Sequence, residues 1–330
     1  MDVIQLALDL IHIESITGNE AAIATRIEAI CTGMGLHVER QRVSDKRWNV
    51  VTNWTTDNDV LFCTHIDTVP PHIPGHMESG YLYGRGACDT KGIIAAMLGA
   101  GEIMMSRNVT PSYLFVVGEE TDSAGAKAAA GTGRKARYVI VGEPTENLFA
   151  HAHKGMLSYT LHTSGTAAHS GYPERGSSAI HVLLDILSDI RAADWGRDPE
   201  IGEATTNVGL IQGGAAPNVL AEAASATVVH RIVDSFETRL QQVREIISGR
   251  AEIDVHAQNN PQRMYVPPGE PSIAVSYGTD IPYVRTIGTP LLIGPGSIHD
   301  AHTAQEKISC EQILTAVERY ATLATALQTA

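Results

Sequence analysis

Two imidazoles and several carboxylates stand just beyond short apolar runs, a pattern that suits metal chemistry. His65 and Asp67 follow the run at 59–64, Glu119 and Glu120 follow 112–118, Glu143 follows 138–142, and His302 lies in the loop after 289–293. Asp89 joins them from GRGACDTKG, whose glycines permit tight turns. If these runs are strands of an open α/β sheet, their carboxyl ends form one ligand-binding edge. Carboxylates gathered there repel one another, which raises their pKa values or opens the edge unless cations neutralise them. Mixed imidazole and carboxylate ligation with room for water suits a zinc-type catalytic site. One carboxylate shared by two ions about 3.5–4 Å apart is the usual two-metal arrangement. Taken singly, each element has a plainer reading: HIDTVP as a strand and proline turn, GEE as an acidic pair at a helix start. Their shared position at one sheet edge carries the argument.

The elements that must position these groups alternate. Residues 2–14 read as a helix with Asp2 as its cap. A second helix starts at Thr17-Gly-Asn-Glu20, a capping-box spacing, and ends at Gly33 and Gly35. Strands are predicted at 49–54, 59–65, 112–118 and 138–142, with helices at 91–105 and 123–130. Their unbroken Val, Ile, Leu and Phe content suits strands covered on both faces, and the β-α-β-α rhythm suits a mostly parallel sheet. From 155 to 257 the order becomes β-α-β-β-α-β, a ferredoxin-like unit, with helices at 177–192 and 235–248. The first pattern then resumes with a helix at 271–278, a strand and loop at 289–296 and a helix at 309–328. The expected division is 1–153 with 262–330 as one domain and 154–261 as an inserted second.

Composition narrows the partners. The 330 residues suffice for two domains, and 43% hydrophobic with 18% charged residues is an ordinary globular balance. Lys and Arg number 24 against 37 Asp and Glu, a net charge of −13, so neither nucleic acid nor an anionic membrane is an expected partner. No apolar run is long enough for a membrane span. The N-terminal segment lacks a basic region and a small-residue cleavage site, and Cys31, Cys63, Cys88 and Cys310 form no CxxC. A cytoplasmic protein with reduced thiols is the expectation.

In order along the chain, HIDTVP, GRGACDTKG, GEET, GEPT with HKG, AAHSGYPERG, GGAAPNV and GPGSIHDAHTAQE resemble the signature blocks of the M20 metallopeptidase and deacylase family. The resemblance runs from about residue 15 to the C-terminus. It implies a zinc-exopeptidase-like α/β catalytic domain with an inserted ferredoxin-like α+β domain serving as lid and dimerisation element. It also implies two divalent ions, zinc above cobalt or manganese. His65 and Glu143 would hold one ion, Glu120 and His302 the other, with Asp89 bridging. Asp67 would orient His65, and Glu119 would be the general base for a hydroxide bridging the ions. His169 resembles the lid histidine that stabilises the oxyanion, in its own or a partner subunit. Asn218 and Arg231 resemble substrate-holding lid residues, and Gly294 and Gly296 would let the backbone approach the substrate. Arg suits a substrate carboxylate because its planar fork pairs bidentately. Two departures stand out: Val229 replaces an Asp common two residues before this Arg, and the stretch after HIDTVP is short.

Within the family, GEPT…HKG and GPGSI…AH look similar to acetylornithine deacetylases of arginine biosynthesis. The expected reaction is removal of the acyl group, acetyl above others, from an N-acyl amino acid such as N-acetylornithine. Alternatives are a succinyl-diaminopimelate desuccinylase, a hydrolase releasing lysine or ornithine from a carrier protein, and a dipeptidase or carboxypeptidase. The implied assembly is a homodimer through the lid. A non-catalytic binding protein on this scaffold is disfavoured by the intact ligand set.

Overall fold

Strands without polar alternation need cover on both faces, and here they have it. The structure, a computed structural model, describes residues 1–55 and 57–329. It divides into two compact units, one formed by Met1–His151, Met264–Ile273 and Thr279–Ala330, the other by Ala152–Arg263 with Ala274–Gly278.

In the first unit the sheet runs Val38–Arg42, Trp48–Thr52, Tyr113–Val116, Asp57–His65, Lys135–Val141, Thr289–Leu292, Phe149–His153. The four strands from Tyr113–Val116 to Thr289–Leu292 pair in parallel, and antiparallel strands flank them. This is an α/β fold with a mostly parallel central sheet. Phe62, Tyr113 and Phe115 stack at 5.6 and 5.3 Å on one face, closed by an edge contact of Phe62 with Tyr320 at 5.8 Å. The helix Gly92–Ser106 is apolar nearly all round because it is buried against this face, with Val3–Ile11 and Cys310–Thr329 beside it. Its glycines permit the close fit: a Cβ at Gly99 would stand 2.6 Å from Val3 Cγ2, and one at Gly101 1.8 Å from the Tyr113 hydroxyl.

In the second unit four antiparallel strands lie in the order Thr205–Gly213, Ala223–Ile232, Gly155–Ser164, Glu252–Asn259. Alternate residues Leu157, Tyr159, Leu161, Ala224, Ala226 and Val228 face a core shared with the helices Ala179–Ala192 and Phe236–Ile247. Ser178 and Ser235 cap those helices, accepting from His181 N–H and Thr238 N–H.

Several local expectations change. The helix expected at 271–278 is instead the strand Ser272–Val275, paired with Phe149–His153, where β-branched Ile273 and Val275 suit an extended chain. The capping box at Thr17 does not form: the helix begins at Ala21, and Glu20 stands at its N-cap without a side-chain capping hydrogen bond. Glu20 is fully buried and pairs through both oxygens with Arg47, while the Thr17 hydroxyl turns to Asp67. The strands Val38–Arg42, His76–Glu78 and Tyr81–Tyr83 lie outside the predicted elements, because their exposed faces break any apolar pattern. Among the described residues no helix is long and apolar enough to cross a membrane. The four cysteines are free thiols.

Candidate metal centre

The predicted acids and histidines of the first unit meet at the carboxyl ends of its parallel strands. His65 ends the strand Asp57–His65, Glu119 and Glu120 follow Tyr113–Val116, Glu143 follows Lys135–Val141, and His302 follows Thr289–Leu292. Asp89 comes from a tight turn, Ala87–Lys91, that opens the buried helix Gly92–Ser106.

Asp89 is the hub. Its Oδ1 lies 2.9 Å from His65 Nε2 and its Oδ2 lies 3.2 Å from His302 Nε2, so each oxygen faces a different imidazole. His302 Nε2 also stands 3.1 Å from Glu120 Oε1. Among the described residues, His65, Asp89 and Glu120 offer atoms within 4.8 Å of one another, a spacing that can enclose a cation.

The Asp67 carboxylate, expected to orient His65, is not the Asp67 group nearest that ring. His65 Nδ1 sits 2.9 Å from the Asp67 main-chain carbonyl but 3.6 Å from its carboxylate. The carboxylate accepts N–H bonds from Gly118 and Glu119 at 2.9 and 3.2 Å on Oδ1 and from Glu120 at 3.3 Å on Oδ2, together with the Thr17 hydroxyl at 2.7 Å. It thereby fixes the backbone that carries both glutamates. A bend at Gly118, φ +82°, lets these neighbours serve one site, and Arg47 fills the space where a side chain at 118 would stand.

The electrostatics are those of a cluster short of positive charge. Burial, then repulsion from Glu143, pushes the Glu119 carboxyl well above the ordinary range. Burial does the same to Glu143 and raises Glu120. Hydrogen bonds to Asp89 and Glu120 lift His302 to about 10. Burial opposes a charged His65, yet its contacts with Asp67 and Asp89 hold its pKa well above the usual value. Burial likewise opposes ionised Asp89, but the two imidazoles overcome it and keep Asp89 ionised. The raised pKa values of the imidazoles offset part of the acidic charge, and divalent ions would neutralise it in place of protons. The donor set of imidazole nitrogens and carboxylate oxygens suits zinc-like ions.

The remaining predicted residues divide. Gly294 and Gly296 leave no room for a side chain: a Cβ at 294 would meet the Glu143 carbonyl at 2.5 Å, and one at 296, where φ is +89°, would meet Cys88 Cβ at 2.7 Å. His169, Asn218 and Arg231 belong to the second unit. There exposed His169 bridges to Val219, Ser170 N–H donates to the Asn218 carbonyl at 2.9 Å, and half-buried Arg231 lies 3.7 Å from Met156 Sδ.

The sequence marks no site role for Thr17, Arg85, Lys91 or Glu306. Lys91 is fully buried and donates to the Ile13 carbonyl at 2.6 Å. Asp280 is also buried beside the cluster, its carboxyl raised by burial to about 6. No spacing rule marks such residues, because their partners lie far away in sequence.

The profile of Peptidase family M20/M25/M40 matches residues 61–326. The chain belongs to this family. A Schizosaccharomyces pombe protein named "Peptidase M20 domain-containing protein" is 36% identical over 332 residues, covering 97% of this chain and 83% of its own. An Aspergillus fumigatus protein named "Probable carboxypeptidase" is 34% identical over 367 residues, covering 94% and 83%. Among solved structures, a tripeptidase from Staphylococcus aureus superposes with a TM-score of 0.84 at 21% identity, covering 99% of this chain and 98% of its own. An M20 metallo-carboxypeptidase from Sulfolobus solfataricus gives 0.80 at 16% identity over the whole of both chains. The M20 chain described here is therefore a hydrolase of peptidase or carboxypeptidase type, acting on amide bonds.

Proposed function

We propose that this M20 hydrolase cleaves a linear amide whose leaving amine is an amino acid with a free α-carboxylate. That class joins carboxypeptidase and dipeptidase substrates to N-acyl amino acids such as N-acetylornithine, since all present acyl–NH–CHR–COO⁻. The carboxypeptidase names of the relatives favour the peptide end of the class. The observation that carries the reading is Asp89, with one oxygen toward each imidazole.

His65, Glu143, Asp89, Glu120 and His302 would hold two divalent ions, which supply Lewis acidity toward the amide carbonyl and toward water. Glu119 accepts the proton of the attacking water and returns it to the departing amine, a role that needs a carboxylate poised between proton acceptor and donor. Asp67, by accepting the N–H groups of Gly118, Glu119 and Glu120, holds Glu119 on the bend. Arg231 pairs the α-carboxylate, Asn218 holds the amide, and His169 donates to the developing oxyanion. The inserted unit serves as a lid and joins two copies into a homodimer. A carrier protein bearing the amino acid is a substrate of the same chemistry.

The test is a hydrolysis panel of dipeptides, acetylornithine, acetylcitrulline and succinyl-diaminopimelate, each beside its C-terminal amide. Cleavage is expected only where the carboxylate is free, and equal cleavage of the amides overturns the reading. Glu119→Ala should lower kcat by about 10²–10⁴ while metal content stays near the wild-type value. Surviving activity would place the base elsewhere.

A further inference from the structure

Glu306 has no place in the chemistry above, yet it is almost wholly buried, and the turn bearing Asp89 hangs from it. Its Oε2 accepts from Arg85 Nη1 at 2.6 Å, and its Oε1 accepts the N–H groups of Cys88 and Asp89, both at 3.3 Å. The Cys88 thiol also points to Oε1 at 3.7 Å. Arg85 reaches further, donating through Nη1 to the Thr303 carbonyl and through Nε to the Pro71 carbonyl, each at 3.2 Å. Gly84 N–H donates to the Glu306 carbonyl at 3.0 Å. Residues 84–89 are thus tied to residues 303–306 on both sides of the ion pair; the first segment carries Asp89, and the second directly follows His302, the side chain Asp89 must face.

A second observation points the same way. His302 has φ +62°, the left-handed region that a β-carbon disfavours. Such a residue persists when its surroundings over-determine it. The Thr303 carbonyl, one residue on, is fixed by Arg85, and Glu306 anchors the end of the same turn. A buried ion pair is a poor source of stability, since desolvation offsets its attraction. What the pair supplies here is geometry.

We propose that Glu306, with Arg85, is a positioning residue that holds Asp89 against His302 so that both can serve as metal ligands. The proposal rests on the reading of Asp89 as the shared carboxylate. The test uses the full chain and zinc alone, with affinity measured by competition against a chelating dye and the melting temperature of the zinc-free protein measured in parallel. Glu306→Gln and Arg85→Lys should weaken zinc binding by about 10–100-fold, the usual effect of disturbing residues behind metal ligands. On the best peptide of the panel, kcat should fall by a similar factor with KM within about twofold, because substrate contacts are untouched. Should Glu306→Gln fail to fold, Glu306→Asp keeps the charge beside Arg85 but withdraws from the Cys88 and Asp89 N–H groups, and is read the same way. Zinc affinity within about twofold of wild type in the folded variants, whatever their melting temperature, overturns the proposal and leaves the pair a structural contact. Asp89→Asn separates the two readings. If it too binds zinc normally, the shared-carboxylate reading fails; if it alone loses zinc, only the positioning role fails.

Discussion

Thr17 and Asp67 form the smallest unit with a consequence for function. The Asp67 carboxylate accepts three N–H bonds from Gly118, Glu119 and Glu120, and the Thr17 hydroxyl completes its shell. Asp67→Asn puts an amide where every neighbour is a donor, so one N–H is left facing another. We expect a loss of 10–100-fold in activity or metal affinity, as for other groups behind ligands. Thr17→Val removes one hydrogen bond and should cost about 1–3 kcal/mol of stability with the glutamates still in place. Urea melts and a zinc titration of both variants check this; a Thr17→Val effect as large as that of Asp67→Asn would mean that the hydroxyl does more than fill a shell. Of this neighbourhood, the ligand-type residues were legible because strand ends and chemistry mark them. Thr17 was legible only as a helix cap, the wrong partner. A threonine offers its hydroxyl to whichever acceptor the tertiary fold brings nearest, and Asp67 lies fifty residues away.

Elements supply the close packing beneath that edge. The helix Gly92–Ser106 can lie on the sheet because Gly101 leaves room for Tyr113, whose hydroxyl donates to the Met97 carbonyl at 3.0 Å. Gly101→Ala would overpack this contact at a cost of about 1–3 kcal/mol. Adding Tyr113→Phe should recover part of that loss, and a double-mutant cycle reads the coupling; strict additivity would show that the helix shifts instead. The second unit has a different internal liability. His230, fully buried, bonds the Tyr159 hydroxyl at 2.9 Å and the Thr206 hydroxyl at 2.8 Å, and burial, then Arg239, depresses it to about 4. A depressed histidine stays neutral in the fold, so its contribution is complete above the ordinary value of 6.5 and is lost as pH falls toward 4. The stability gap between wild type and His230→Gln should therefore narrow by about 2–3 kcal/mol from pH 7.5 to 4.5. Urea midpoints measure it, and a constant gap would show that His230 titrates alike folded and unfolded. The buried parallel strands and amphipathic helices were legible because their patterns are strong. Ser272–Val275 was not, because four residues carry too little periodicity to separate strand from helix.

At the scale of the whole molecule, the two units have separate cores, and the acidic cluster belongs to one of them. Chelator and metal should therefore move the unfolding of the first unit and leave that of the second in place. At a free ion concentration of about 100 Kd the gain is about 2.7 kcal/mol. At roughly 2–4 °C per kcal/mol for a unit of about 200 residues, that is a shift of several degrees. Calorimetry with and without chelator tests it, and a uniform shift of all transitions would show that the units unfold as one. The order of elements in both units was legible, because alternation of strand and helix survives errors at the boundaries. The placement of 274–278 with the second unit was not, since five residues that change sides leave no mark in composition.

The strand Thr289–Leu292 lies between Lys135–Val141 and Phe149–His153, neighbours that leave the ribosome about 140 residues before it does. Until it arrives, a gap stays open in the middle of the sheet, with hydrogen-bonding edges on either side. A growing chain therefore waits through the synthesis of the entire inserted unit before its first sheet can close. A chain cut short anywhere before residue 289 would keep that unfilled slot for good, and a chaperone or a protease would find it there.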